Sequence, residues 1–567
     1  MDSNDLLVKE YLESLKEDTE LDYLFPILLR LMKFSIVTTA RESKGQSQYG
    51  KDIIAIGKDE NGIKKRFYFE LKGFSDKDIT QTSLLKQDGI LESIREAKLV
   101  AFNDTSIPGF NDLPVQIVVV HNGVIKSDAR LTLEGILTKE FPEGGFERWD
   151  IYRLTELFSQ YLFGEYLFTE EESIRLFKRT LVLLDAPDYD FSDFKQLVEK
   201  QTEKIYDVQS RAFKKYFASM NLLSVLIIHY SRENGNLYPA RECVTFLVLR
   251  VWAWILRSDL HNKKGVLKEF RKLLRIHYDL LDEYFQKMSI AVEEQDGLFS
   301  EAGKQFEPIG YPLRCFEHLG YLNYFLYARM WFPTFEKGPS QKKQQLLVNR
   351  QLEYLVKLIN FNDGCSRPLI DRHSVPIVAT VLFFIRNKEF ISDIKEHLSN
   401  FLEGILNNIM IIKNTRDRFP ELYNNIEQLV EFVATSKRPK GYIDSSSLLI
   451  AYIFDILALI DDEETYNIYR NQFDGKVDLQ LAQCSLPTDE LEPLLFTKNL
   501  YNEMYVESGI RLPENFADYK SSLKSIGLVQ REYKTDLAGF PFLRLLAHIY
   551  FANDFLPEEW RKSVDLL

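Results

Sequence analysis

Three charged residues, Asp52, Glu70 and Lys72, stand where a half-buried strand pair is expected to bury apolar ones. They fall in residues 50–56, GKDIIAI, and residues 67–73, FYFELKG. Side chains alternate along a strand, so Phe67, Phe69 and Leu71 face one way while Tyr68, Glu70 and Lys72 face the other. Between the two runs lies GKDENGIKKR, in which Asn61-Gly62 is a favoured hairpin turn pair, so the runs are expected to be antiparallel neighbours. Asp52 then begins the partner strand at the end away from the turn, beside Glu70 and Lys72. Two carboxylates brought that close repel unless a proton or cation separates them, and oxygen donors of this kind suit Mg2+ or Mn2+. Such a metal binds a phosphate oxygen and lowers the pKa of a water, and an adjacent lysine orients that water or stabilises the transition state. The backbone carbonyl of Leu71, between the two side chains, is a further candidate ligand.

The elements that must position these groups are legible as patterns. Residues 5–34 read as helix, with Leu21, Leu24, Phe25, Leu28, Leu29 and Met32 at helical spacing and Pro26 as a kink or restart. After the hairpin, residues 82–98 read as helix and residues 115–123, VQIVVVHNG, as a buried strand ending in a turn. From residue 150 onward nearly every segment has helical spacing without a fixed repeat period. The expected fold class is α+β: an α/β domain over residues 1–165, then a large all-α region over residues 166–567. Further breaks are expected near 185–193, 336–343 and 438–442, where proline, glycine and charge cluster.

Composition narrows the function. A chain of 567 residues with 45% hydrophobic and 27% charged residues is a multidomain globular protein. Its formal net charge of -13 gives no general attraction for nucleic acid, so any such site must be a local groove. The basic stretches 211–215, 262–265 and 267–275 read first as solvated faces of amphipathic helices. Four cysteines far apart in sequence suggest neither a zinc knuckle nor a disulfide framework and fit a reducing cytoplasm. The acidic start is wrong for a signal peptide, and the apolar run 445–460, interrupted by Asp455, reads as a buried helix, so no membrane association is expected. No P-loop pattern occurs. His121 and His373 read as turn histidines, and the acidic run 461–464 as a solvated helix end.

Asp52, a hairpin, then Glu70-Leu71-Lys72 resembles the PD-(D/E)xK signature of restriction-endonuclease-like nucleases, and the flanking GKDIIAI and YFELKG are most similar to the Mrr-like branch. The resemblance covers roughly residues 10–165. It implies an α-β-β-β-α-β core and metal-dependent phosphodiester hydrolysis, with Asp52 and Glu70 as metal ligands and Lys72 as the catalytic lysine. It further implies a glutamine near the start of the following helix, matched by Gln81 with Gln87 as competitor, and a first-helix acid, for which Glu20 is best placed. Two departures stand out: Lys51 precedes Asp52 where proline is usual, and the usual first-helix Phe-Glu pair reads Phe25-Pro26. The function expected on this basis is a Mg2+- or Mn2+-dependent nuclease, with DNA ahead of RNA as substrate, acting as a bacterial antiphage or restriction-type effector. Its helical region is expected to bind a partner, sense a trigger or form a homo-oligomer. The competing expectations are a non-catalytic interaction scaffold with a degenerate nuclease fold, and an RNA-directed nuclease.

Overall fold

The computed structural model describes residues 9, 12–13, 21–39, 49–73, 77–87, 89–142, 144–163, 171–203, 210–331, 341–388, 393–484, 489–500, 505–511, 515–525 and 532–553. The chain divides into two compact units, Met1–Leu197 with Tyr206–Pro239, and Val198–Ile205 with Ala240–Leu567.

The first unit is built on a five-stranded mixed sheet. Helix α1 (Asp22–Leu31) buries Leu24, Phe25, Leu28 and Leu29, and Pro26 sits at its middle. There the missing amide removes one intrahelical bond without breaking the helix. The helix expected through residue 34 ends earlier, because Ser35–Thr38 leaves it as strand β1, too short to show a period-two pattern. Strands β2 (Ile53–Lys58) and β3 (Lys64–Lys72) follow, then β4 (Val115–His121) and β5 (Phe146–Trp149). The sheet order is β1-β2-β3-β4-β5, antiparallel across the first three strands and parallel from β3 to β5.

The β2–β3 turn is wider than a two-residue loop. Lys58 pairs with Lys64, and Asp59 organises the residues between them by accepting from the amides of Asn61 at 3.0 Å and Ile63 at 2.8 Å. Gly62 takes φ +79°, a conformation that favours glycine. The helix expected over residues 82–98 is two helices, α2 (Gln81–Leu85) and α3 (Ile90–Leu99). Lys86 turns extended and Gly89 caps the start of α3. Helices α4 (Ser127–Glu140) and α5 (Ile151–Phe158) follow β4 and β5, the latter capped by Asp150 accepting from the amides of Tyr152 and Arg153.

Strand β3 is buried on both faces. On one, Phe67 and Phe69 meet Phe25 of α1, Phe34 and Trp149, with ring centroids of 5.2 Å for Phe25–Phe69, 5.0 Å for Phe34–Phe67 and 5.4 Å for Phe69–Trp149. On the other, Tyr68 packs with Ile54, Ala97, Phe110 and Ile117. The chemistry-bearing end of β3 therefore rests on an aromatic core that fixes its height and twist. Phe69→Ala should cost about 3–5 kcal/mol, read as a lower melting temperature together with a change in Trp149 fluorescence.

The second unit is mostly helical. Its long helices include Lys264–Glu293, Glu307–Trp331, Gln341–Phe361, Ser374–Arg386 and Ile394–Arg416. The apolar run 445–460 holds helix Leu448–Leu459, with Asp455 buried. Among the described residues no helix is long and apolar enough to cross a membrane. The all-α expectation needs correction: Gln480–Cys484 and Tyr505–Arg511 pair as a two-stranded antiparallel sheet. Single four- to seven-residue runs without strict alternation give little strand signal beside so many helical patterns. Cys315 and Cys365, distant in sequence, are buried free thiols, and the neighbouring Cys315 together with burial pushes the Cys365 thiol well above its ordinary range.

Candidate active site

The charged groups gather at the end of β3 farthest from the hairpin turn. The amide of Asp52 donates to the Phe69 carbonyl at 2.9 Å, and Asp52 Oδ2 accepts from the Leu71 amide at 2.7 Å. An Asp52 side chain thus takes the position a β2 carbonyl would hold had the ladder continued. The amide and carbonyl of one strand residue leave the backbone on the same side, so the Leu71 carbonyl also lies on the Asp52 side of β3. Two residues along, Lys72 Nζ contacts Glu70 Oε1 at 2.8 Å, with the Glu70 side chain 7% exposed and that of Lys72 18% exposed. Strand alternation brings Glu70 and Lys72 to one face; the Asp52–Leu71 bond brings the second carboxylate to the same strand end.

Lys51 belongs to this cluster although its sequence position does not announce it. Only 5% exposed, it donates from Nζ to the Tyr49 carbonyl at 2.8 Å and lies 5.5 Å from the centre of the Tyr68 ring. Burial pulls its pKa from 10.5 down to about 8, against the opposing attraction of Glu96 and Glu70. Gly50 makes this entry possible: with φ +67°, a Cβ there would lie 2.0 Å from the Ser93 carbonyl oxygen of α3. Strand β2 can therefore begin tight against α3 only with glycine at position 50.

Gln81 is the first residue of α2, behind a capping box in which Thr80 and Ser83 exchange side-chain and backbone bonds. Its Oε1 accepts from Thr132 Oγ1 at 3.3 Å, a contact toward α4. Gln87 is exposed in the turn after α2. Glu20 lies outside the described residues. His121 pairs with Lys72 in the parallel β3–β4 register. Its Nδ1 is 3.0 Å from the Lys77 carbonyl, which can only accept, so Nδ1 carries the hydrogen. Burial holds its pKa near 4, with Arg148 pushing the same way. The histidine is therefore neutral and fastens residues 77–80, which lead from β3 to Gln81. His373 likewise braces a turn, accepting from the Leu369 amide at 3.2 Å. In the acidic run 461–464, Asp462 caps helix Glu463–Phe473.

Among the described residues no three His, Cys, Asp or Glu side chains form a metal-holding group. The hairpin offers two carboxylates and a neighbouring carbonyl instead. Mg2+ is commonly held by one or two carboxylates with waters and phosphate oxygens completing its shell, so this donor set fits a hard cation bound together with a phosphate. No protein-family model, curated protein or solved structure matches the chain.

Lys51 yields a prediction separable from catalysis. Lys51→Met should stabilise the fold by about 1 kcal/mol near neutral pH, because a buried ammonium is replaced by an apolar chain of similar length. The folded-state pKa near 8 lies below the unfolded 10.5, so between those values the unfolded chain binds more protons. Wild type should therefore gain on the variant as pH rises from 8 to 10.5, a trend that paired thermal melts across that range will show.

Proposed function

We propose that the first unit is a metal-dependent nuclease that hydrolyses phosphodiester bonds in DNA. The observation that carries the reading is the Asp52 carboxylate bonded to the strand that bears the Glu70–Lys72 pair. Support also comes from the element order, α1-β1-β2-β3, then α2 and α3, then β4. That is the α-β-β-β-α-β order implied by the resemblance to PD-(D/E)xK nucleases.

In this reading Asp52, Glu70 and the Leu71 carbonyl would hold Mg2+ or Mn2+. The metal would polarise the phosphate and make a bound water more acidic. The chain's own residues supply position and charge. Asp52 is fixed by the Leu71 amide, so its carboxylate needs little reorganisation. Lys72 presents an ammonium on the Glu70 face, where it orients the attacking water and offsets negative charge developing on the phosphate. Gln81 opens the helix that follows, where the resemblance implies a catalytic glutamine, and is proposed as the fourth catalytic residue; its side chain accepts from Thr132. The biological role proposed is a restriction-type or antiphage effector whose second unit governs when the first one cuts.

The test is cleavage of plasmid DNA, with RNA as a parallel substrate, by the full chain in Mg2+, Mn2+ or EDTA. Wild type should cut DNA only with metal. Asp52→Asn, Glu70→Gln and Lys72→Ala should each lose about 100-fold or more in rate while keeping the wild-type melting temperature. Cutting that survives Lys72→Ala or EDTA contradicts the assignment, and cutting confined to RNA moves the substrate class.

A further inference from the structure

The second unit contains a cavity of about 330 Å3, walled by helices Glu307–Trp331, Ser374–Arg386 and Phe542–Tyr550. That volume is the size of a small-ligand pocket. Its charged groups are unequally satisfied. Glu242 and Glu317 line it, and both already accept from the fully buried Arg241, at 3.0 Å and 2.5 Å. Tyr321 adds a further donor to Glu242 at 3.1 Å. Arg314, at the rim, donates to the Leu298 carbonyl at 3.0 Å and pairs with Glu307.

Arg372 is different. Its backbone amide donates to Asn424 Oδ1 at 2.8 Å, but its guanidinium makes no hydrogen bond or ion pair among the described residues. Its one resolved attraction is the longer-range pull of Glu317, and burial weakens its hold on the proton. No nitrogen of this unbonded guanidinium is fully buried, so the fork is open to water or to the acceptors of a ligand. Beside it, His373 stacks on Phe316 with ring centroids 4.1 Å apart. The Leu369 amide donates to His373 Nδ1, which leaves the hydrogen of the neutral ring on Nε2, a second donor at the cavity wall. Leu313, Val375 and Pro376 supply apolar surface.

We propose that this cavity binds a small organic anion, its carboxylate or phosphate held by Arg372 and its apolar or aromatic body against the Phe316–His373 wall. The site is independent of the hairpin chemistry and gives the helical unit a chemical input of its own. The planar guanidinium fork matches both anion types.

Isothermal titration of the full-length protein with benzoate, phenyl phosphate and AMP tests this, with benzamidine as the cation of comparable body. Saturable binding of an anionic probe is expected, and the arm that binds identifies carboxylate or phosphate as the source. Arg372→Gln should weaken that binding about tenfold or more. Arg372→Lys, which keeps the charge and loses the fork, should fall between, and melting curves will show that both variants fold. Absence of saturable binding by any anionic probe, binding unchanged in Arg372→Gln, or benzamidine binding as tightly as benzoate would overturn the proposal.

Discussion

The bond from the Leu71 amide to Asp52 Oδ2 is the constraint on which the hairpin's chemistry depends. It ends the β2–β3 ladder with a carboxylate in place of a carbonyl. A negative charge is thereby fixed at the strand end where Glu70 and Lys72 alternate onto one face. Without it, Asp52 would be one more exposed residue before a strand, free to turn toward water. With it, the Asp52 carboxylate is held against the strand that carries Glu70.

Gathering charge at a buried strand end is unfavourable in itself, and the surrounding structure offsets it. The opposite face of β3 is a continuous aromatic packing of Phe25, Phe34, Phe67, Phe69 and Trp149. Each well-placed ring pair adds about 0.5–1.5 kcal/mol beyond its buried area. Lys51, drawn inside beside Tyr68 and Glu70, lowers the local negative potential while bearing its own desolvation. One face of the strand is thus apolar throughout, while the other carries the charges beyond the packed Tyr68. In the helical unit Arg241 satisfies two acids, Glu242 and Glu317, while Arg372 is left to face a cavity.

How much was legible in the sequence follows from which signals are local. The hairpin, β4, the Leu448–Leu459 helix and the common face of Glu70 and Lys72 rest on periodicity and turn residues, and each lies where those patterns put it. Strands β1 and β5, four residues each, are too short for a period to register. The break between α2 and α3 had a local mark in Gly89, overridden by the strong apolar spacing on either side. The inward turn of Lys51 was not legible, because it needs the positive φ of Gly50 and the approach of the Ser93 carbonyl, a contact between segments. Gln81 does open a helix, but its bond to Thr132 depends on the later placement of α4.

The most direct measurement is Mn2+ uptake by the full chain, followed by electron paramagnetic resonance as metal is titrated in. The account predicts a saturable Mn2+ site for which Mg2+ competes, lost in Asp52→Asn and in Glu70→Gln while the fold is retained. Uptake unchanged by both substitutions, or no saturable uptake by folded wild type in the presence of DNA, would contradict a divalent metal centre on the hairpin.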